Sequence, residues 1–242
     1  MAKLGWNKGQ LYEQQILRIL WRKGLLMAPS PGTPGGVDSG FRHLGKPYKL
    51  EVKLGLSADY GQKKLIWSKE DGWAWAKPDS ITDFYDGIGA LKYVVGRGVI
   101  PLKYSKYSAE DKHKITQQDA DADRDAFENN DFVTEPEAVW RFYGRKDIHY
   151  IQIGSGYGFY HLDSDPAGLG TERFECSFYL RLRAKPYHKK HRTKDAEGRV
   201  VRTVKTPWDY DFYAVLRVRT RPKKSPYNVE KAKGQKFPPI QP

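Results

Sequence analysis

A single cysteine, Cys176, stands in a chain of 242 residues. One thiol excludes an intramolecular disulfide and a cysteine-rich zinc site, and it fits a reducing compartment such as the cytoplasm. No apolar run approaches the length of a bilayer span, and Met1-Ala2-Lys3-Leu4-Gly5 lacks the apolar core of a signal peptide, so a soluble cytoplasmic protein is expected. Absent too are a P-loop, a dinucleotide-binding fingerprint, a zinc-metalloprotease helix and a serine-nucleophile elbow, and no stretch repeats. The nucleotide-dependent and hydrolytic chemistries tied to those motifs lose their sequence support.

Positive charge is abundant instead. Lys and Arg total 42 against 29 Asp and Glu, a formal net charge of +13, which makes a polyanion the expected partner. The charge is uneven: between Ala109 and Val139 acids outnumber bases ten to three, so the remainder is more basic than the total indicates. Aromatic residues make up 14%, with 16 Tyr and 7 Trp, which suits both a packed β-rich core and stacking on bases. The length allows one large domain or two small ones.

The most informative stretch runs from Gly36-Val37-Asp38 to Tyr48-Lys49-Leu50-Glu51-Val52-Lys53-Leu54. Tyr48, Leu50, Val52 and Leu54 alternate with Lys49, Glu51 and Lys53, the two-residue period of a strand with one apolar face. Glu51 and Lys53 therefore point the same way. Gly45-Lys46-Pro47 is turn chemistry, which pairs this strand with the one beginning near Val37 and brings Asp38 beside Glu51. Two carboxylates suit Mg2+, a hard cation that keeps waters and accepts phosphate oxygens, while an adjacent ammonium stabilises developing negative charge. Metal-assisted phosphodiester hydrolysis is the chemistry that such a group performs. The competing reading is a two-sided hairpin whose solvent face carries a Glu-Lys pair; Glu110-Asp111-Lys112 shows that an acid-x-Lys pattern also arises in an unpatterned run.

The order Asp38, then Glu51-Val52-Lys53, resembles the PD-(D/E)XK nuclease superfamily, which includes many type II restriction endonucleases and several resolvases. Gly36-Val37 stands where that family often has a proline. The resemblance spans about the first hundred residues. It implies a mixed α/β (α+β) fold, a restriction-endonuclease-like core with a central mixed sheet flanked by helices. It further implies that Asp38 and Glu51 bind Mg2+, for which Mn2+ can substitute, and that Lys53 assists the nucleophile. Many members add an acid on the preceding helix, here Glu13, and some a Gln after the hairpin, here Gln62. A homodimer is the arrangement expected of a double-strand cutter, because one such site cuts one strand.

Elsewhere, Tyr12, Ile16, Leu17, Ile19 and Leu20 form an apolar stripe predicting a helix over Lys8 to Lys23, with Glu13 at the margin of its buried face. Pro29 to Gly36 reads as a loop, Gly72 to Ala76 as a strand and Ser80 to Val95 as a helix. Ala58 to Trp67 fits either a short helix or a strand, and its Lys63 and Lys64 are phosphate-contact candidates. Asp119 to Asp125 has the look of a calcium loop, but the sixth and twelfth positions hold Arg124 and Asn130 where an EF-hand needs Gly and Glu. A solvated helix start or flexible insertion is expected there. From Asp147 strands are predicted over 148–153, 157–162, 173–184 and 210–220, with Gly154-Ser155-Gly156 as a hairpin turn.

Arg181 and Arg183 alternate with apolar residues, and Lys185, His188, Lys189, Lys190, His191, Arg192, Arg199 and Arg202 follow in a basic hairpin or loop. These are the DNA-binding candidates, since cations placed on phosphates release condensed counterions. His188 and His191 lack further ligands for a metal and belong to the basic loop. The expected division is a nuclease core over 1–108, an acidic insertion over 109–146, a β-rich DNA-binding part over 147–221 and a basic extended tail over 222–242. A Mg2+-dependent, type II restriction-like endonuclease acting on duplex DNA is the leading expectation. A branched-DNA resolvase and a non-catalytic nucleic-acid-binding protein are the alternatives, and RNA stays open as a substrate.

Overall fold

The computed structural model describes residues 7–25, 39–108, 111–127, 132–194, 197 and 200–231, with side chains left out at 39, 112, 113, 186, 188–194 and 200–208. The elements begin with α1 (Lys8–Arg22), β1 (Ser39–His43), β2 (Lys46–Lys53), β3 (Tyr60–Ser68) and β4 (Gly72–Trp75). Helices α2 (Ser80–Gly87), α3 (Ala90–Gly96), α4 (Leu102–Ser105) and α5 (Gln117–Asp125) follow. Then come β5 (Val133–Thr134), α6 (Pro136–Gly144), β6 (Ile148–Ile153), β7 (Gly158–His161), β8 (Phe178–Lys194) and β9 (Val200–Val218). The fold is mixed α/β, as expected. Among the described residues no helix is long and apolar enough to cross a membrane.

The chain forms two compact units, neither continuous in sequence: one takes 1–58, 134–178 and 217–242, the other 59–133 and 179–216. This differs from the linear division expected from composition. Residues 59–108 group with the strands of 179–216, because β3 hydrogen-bonds to β9 across the sheet order β4-β3-β9-β8-β5.

In the first unit the sheet order is β1-β2-β6-β7, with β2 parallel to β6 and the other pairs antiparallel. The β1–β2 turn places Leu44 and Gly45 at φ 48° and 78°, two successive left-handed residues as a tight hairpin requires. Helix α1 starts with a capping box, Asn7 accepting from the Gln10 amide while the Gln10 side chain accepts from the Asn7 amide. Its buried Tyr12, Ile16, Ile19 and Leu20 pack with Phe41, Leu50, Tyr150 and Phe159, and Tyr48 and Val52 lie half-buried against the same cluster. Leu17, expected in that stripe, is half-buried, and Leu54 falls past the strand end at 39% exposure.

The segment after Pro222 is not simply an extended arm. Ser225 donates to Phe159 O at 2.6 Å, Phe159 N donates to Tyr227 O at 2.7 Å, and Val229 N donates to Gln152 Oε1 at 3.1 Å. Buried Gln152 also donates to Tyr12 and Asn228, so polar groups that need partners hold this strand of tail against the core. The tail beyond residue 231 lies outside the described residues.

In the second unit, the stretch whose form the sequence left open is the strand β3 from Tyr60, and the predicted helix 80–95 is two helices. Gly89 at φ 79° interrupts the hydrogen-bond ladder between them. The acidic run forms α5, but it is not a solvated face: Asp119 and Asp123 are buried. Asp119 accepts from Lys106 Nζ, Tyr107 Oη and the Thr116 amide at 2.8, 2.7 and 2.8 Å, and Asp123 accepts from the Leu102 amide at 2.7 Å and from Tyr210 Oη at 2.5 Å. Burial pushes both carboxyls up. At Asp119 the hydrogen bonds from Lys106, Tyr107 and Thr116 outweigh it and hold the carboxyl well below the ordinary range; at Asp123 burial prevails and the carboxyl stays raised.

Candidate active site

Strand β2 is an inner strand of the first unit's sheet, and its alternation is as the sequence indicates. Leu50 is buried against α1, while Lys49, Glu51 and Lys53 project from the opposite face, half-buried. On that face the parallel register sets Glu51 beside Ile151 and Lys53 beside Ile153, both fully buried on β6. Lys49 is engaged at the entrance of the strand, donating to Lys146 O at 2.8 Å and lying 3.8 Å from Asp147. Glu51 and Lys53 occupy the carboxyl end of β2, where ligands bind in open sheets with parallel strands. Lys53 Nζ sits 2.6 Å from Glu51 Oε1, with side chains 17% and 22% exposed, so the charges are largely, but not wholly, withdrawn from water. Partial desolvation strengthens their fields on anything that approaches.

The strand end is fixed by close backbone contact. Gly154 N donates to Lys53 O at 2.8 Å, and Ser155 Oγ donates to Leu54 O at 3.2 Å. A Cβ on Gly154 would meet the Leu54 carbonyl and come within 2.9 Å of the Tyr12 ring, so only glycine fits this crossing. Ser155 and Gly156 both take left-handed φ, 57° and 82°, completing the turn into β7.

The other candidates are placed differently. Asp38 lies outside the described residues; the described β1–β2 register ends at Ser39 opposite Leu50. Glu13 is half-buried on α1, the helix that packs on the apolar face of β2 rather than on the face of Glu51 and Lys53. Gln62 is exposed on β3, in the second unit. Its neighbours Lys63 and Lys64 form ion pairs with Asp79 and Asp211. Among the described residues no three or more His, Cys, Asp or Glu side chains are grouped so as to hold a metal ion. A magnesium ion needs only one or two protein carboxylates beside waters and substrate phosphate, so Glu51 with one further acid fits its demands.

The basic stretch is built as two adjacent strands, β8 and β9, instead of a loop. Arg181 and Arg183 are half-buried on β8, and Arg183 is paired with Asp59 at 3.1 Å; Lys185 is exposed, 5.9 Å from the Tyr213 ring. His188, Lys189, Lys190, His191, Arg192 and Arg202 lie on the two strands with side chains outside the described residues, and Arg199 lies wholly outside them. The cluster of buried Lys103 and Asp209 with half-buried Tyr187 in the second unit carried no motif; the i, i+2 spacing of Asp209 and Asp211 on one strand was the available sign that two carboxylates share a face.

No family model matches the chain, and no curated protein matches it. Among solved structures, one of HhaI endonuclease in complex with DNA is similar over 87% of this chain and 92% of that one, at 7% identity and a TM-score of 0.41. A likeness that shallow carries no argument about activity, which has to come from the side chains themselves.

Proposed function

We propose that the protein is a Mg2+-dependent endodeoxyribonuclease of the PD-(D/E)XK type, with its active site at the carboxyl end of β2. The observation that carries this reading is the Glu51 and Lys53 pair, 2.6 Å apart on the polar face of an inner strand that is parallel to its neighbour β6. Taking such a pair largely out of water offsets most of its attraction, so stability alone gains little from it. A carboxylate and an ammonium held side by side at a strand end, offering hard oxygen to a metal, suit a Mg2+ site facing a phosphodiester.

In this reading Glu51 would hold the ion together with Asp38, the residue that precedes β1 in sequence. A bound Mg2+ supplies a water of lowered pKa and a Lewis acid for the phosphate. Lys53 orients the attacking water and stabilises charge on the phosphoryl oxygens. The buried Ile151 and Ile153 beside the pair keep bulk water away from one side. The basic strands β8 and β9, with Arg181, Lys185 and the cations from His188 to Arg202, supply phosphate contacts along a duplex. Cutting both strands calls for a homodimer, which sedimentation on DNA tests.

Incubating the protein with supercoiled plasmid, linear duplex and a four-way junction in Mg2+ or in EDTA tests the function. Mg2+-dependent conversion to linear or discrete products from duplex is expected. Cutting confined to the junction would point to a resolvase, and intact DNA in every metal tried would overturn the nuclease reading.

A further inference from the structure

The second unit contains a cavity of about 240 Å3 that no part of the hairpin chemistry uses. It is smaller than the roughly 300 Å3 at which drug-sized pockets begin, a size suited to a single ring system. Its walls combine the rings of Tyr104, Tyr187 and Phe212 with four charges. Those charges cancel in pairs: Lys64 lies 2.6 Å from Asp211, and Lys103 lies 3.3 Å from Asp209. Lys103 is only 7% exposed along its side chain and also donates to Tyr210 O at 2.5 Å, while Tyr187 Oη donates to Asp209 Oδ2 at 3.0 Å. Burial pushes the phenols of both Tyr104 and Tyr187 above their ordinary range, as in a site withdrawn from water.

A buried ion pair is a poor source of stability compared with apolar packing, so its retention at a cavity wall invites a binding role. The paired charges also narrow the occupant. Carboxylates on the wall repel a phosphate, and ammonium groups repel a cation. A neutral, flat molecule carrying both N–H donors and carbonyl or ring-nitrogen acceptors matches all of the walls: aromatic rings stack on it, Asp209 and Asp211 accept from it, and Lys64 and Lys103 donate to it.

We propose that this cavity receives one nucleobase, read by stacking and by hydrogen bonds to its polar edge. Bases turned out of a strand are recognised in this manner. That the base comes from DNA rests on the function proposed above, whereas affinity for the base does not. Trp67, with its ring 5.4 Å from that of Tyr104, stands next to the wall as a reporter.

Calorimetric titration of the full chain in EDTA with each of the four deoxynucleosides, and with inorganic phosphate, tests the pocket directly. Saturable 1:1 binding of at least one deoxynucleoside, with a Kd of about 1 mM or tighter, is expected. It should weaken roughly tenfold or more in Tyr104→Ala, the scale of one lost stacking contact, and survive in Tyr104→Phe. Ile66→Trp, at a lining position 42% exposed, should block binding while leaving the buried pair intact, which covers the case of a misfolded Tyr104→Ala protein. No saturation by any deoxynucleoside, phosphate binding in their place, or affinity untouched by either blocking variant would overturn the proposal. A duplex containing 2-aminopurine then separates the two sources of the base: a fluorescence rise on binding supports extrusion from DNA, and binding of free nucleoside without that rise overturns it. Intact plasmid together with nucleoside binding would sink the nuclease reading and leave the pocket standing.

Discussion

Asp119 shows how a residue's neighbours reverse its meaning. In sequence it is one acid in a polar run; in the fold it is 4% exposed and accepts from Lys106, Tyr107 and Thr116. Its carboxyl is held below the ordinary range, so its stabilisation is complete above the unfolded value of about 3.9 and is lost as pH falls through the folded one. Asp119→Asn is expected to cost roughly 2–4 kcal/mol, because it removes a charged acceptor and strands the donors around it. Thermal unfolding from pH 7 down to pH 3 checks both parts: the parent should lose stability below about pH 4, and the variant should start lower and show a shallower acid limb. Equal melting temperatures for the two proteins at pH 7 would refute the assignment. The Thr116–Asp119 cap spans three residues in sequence, whereas the burial of α5 was not legible, since the partners of Asp123 include Tyr210, 87 residues away.

Among the elements, the hairpin was the most readable and its support the least. The alternation from Tyr48 to Lys53 announced a two-faced strand, and α1, β4 and β6 were legible for the same reason: each carries a complete apolar period within itself. What escaped were features set by contact between elements. The helix break at Gly89, the strand character of β3, which is paired to β9, and the docking of Tyr227 to Val229 against Gln152 all depend on partners distant in sequence. Gly154 belongs here as well, because its lack of a side chain lets β6 turn past Leu54, one residue beyond Lys53. Gly154→Ala should cost about 1–3 kcal/mol from overpacking and reduce nuclease turnover more than its stability loss explains. Gly156→Ala, at positive φ but with nothing near its Cβ, should be destabilised by backbone strain alone. Denaturant titration and initial cleavage rates on both variants make the comparison, and equal activity in the two would detach the turn from the site.

At the scale of the whole molecule, the net charge of +13 is the property that most constrains the partner. With Asp119 and Asp123 of α5 drawn into buried contacts, the surplus of Lys and Arg weighs more heavily on the surface that a polyanion meets. Affinity for duplex DNA should fall steeply and linearly in log–log form as salt rises, with a slope counting the phosphates neutralised at about 0.9 per contact. Reversing the charge at Lys185, exposed on β8, should weaken binding to all sequences and flatten that slope by about one unit. Fluorescence anisotropy across a salt series reads both quantities, and a salt-independent affinity would contradict a backbone-tracking surface.

As proposed, the paired Glu51 and Lys53 form a catalytic centre and not a structural ion pair. Glu51→Ala and Lys53→Ala proteins, assayed beside the parent for plasmid cleavage in Mg2+ and for duplex binding in EDTA, separate these directly. Loss of cleavage by at least about a hundredfold in both variants, with melting temperature and DNA affinity close to those of the parent, is the predicted result. Cleavage that persists in either variant, or a parent that binds DNA tightly and never cuts it, would contradict the account.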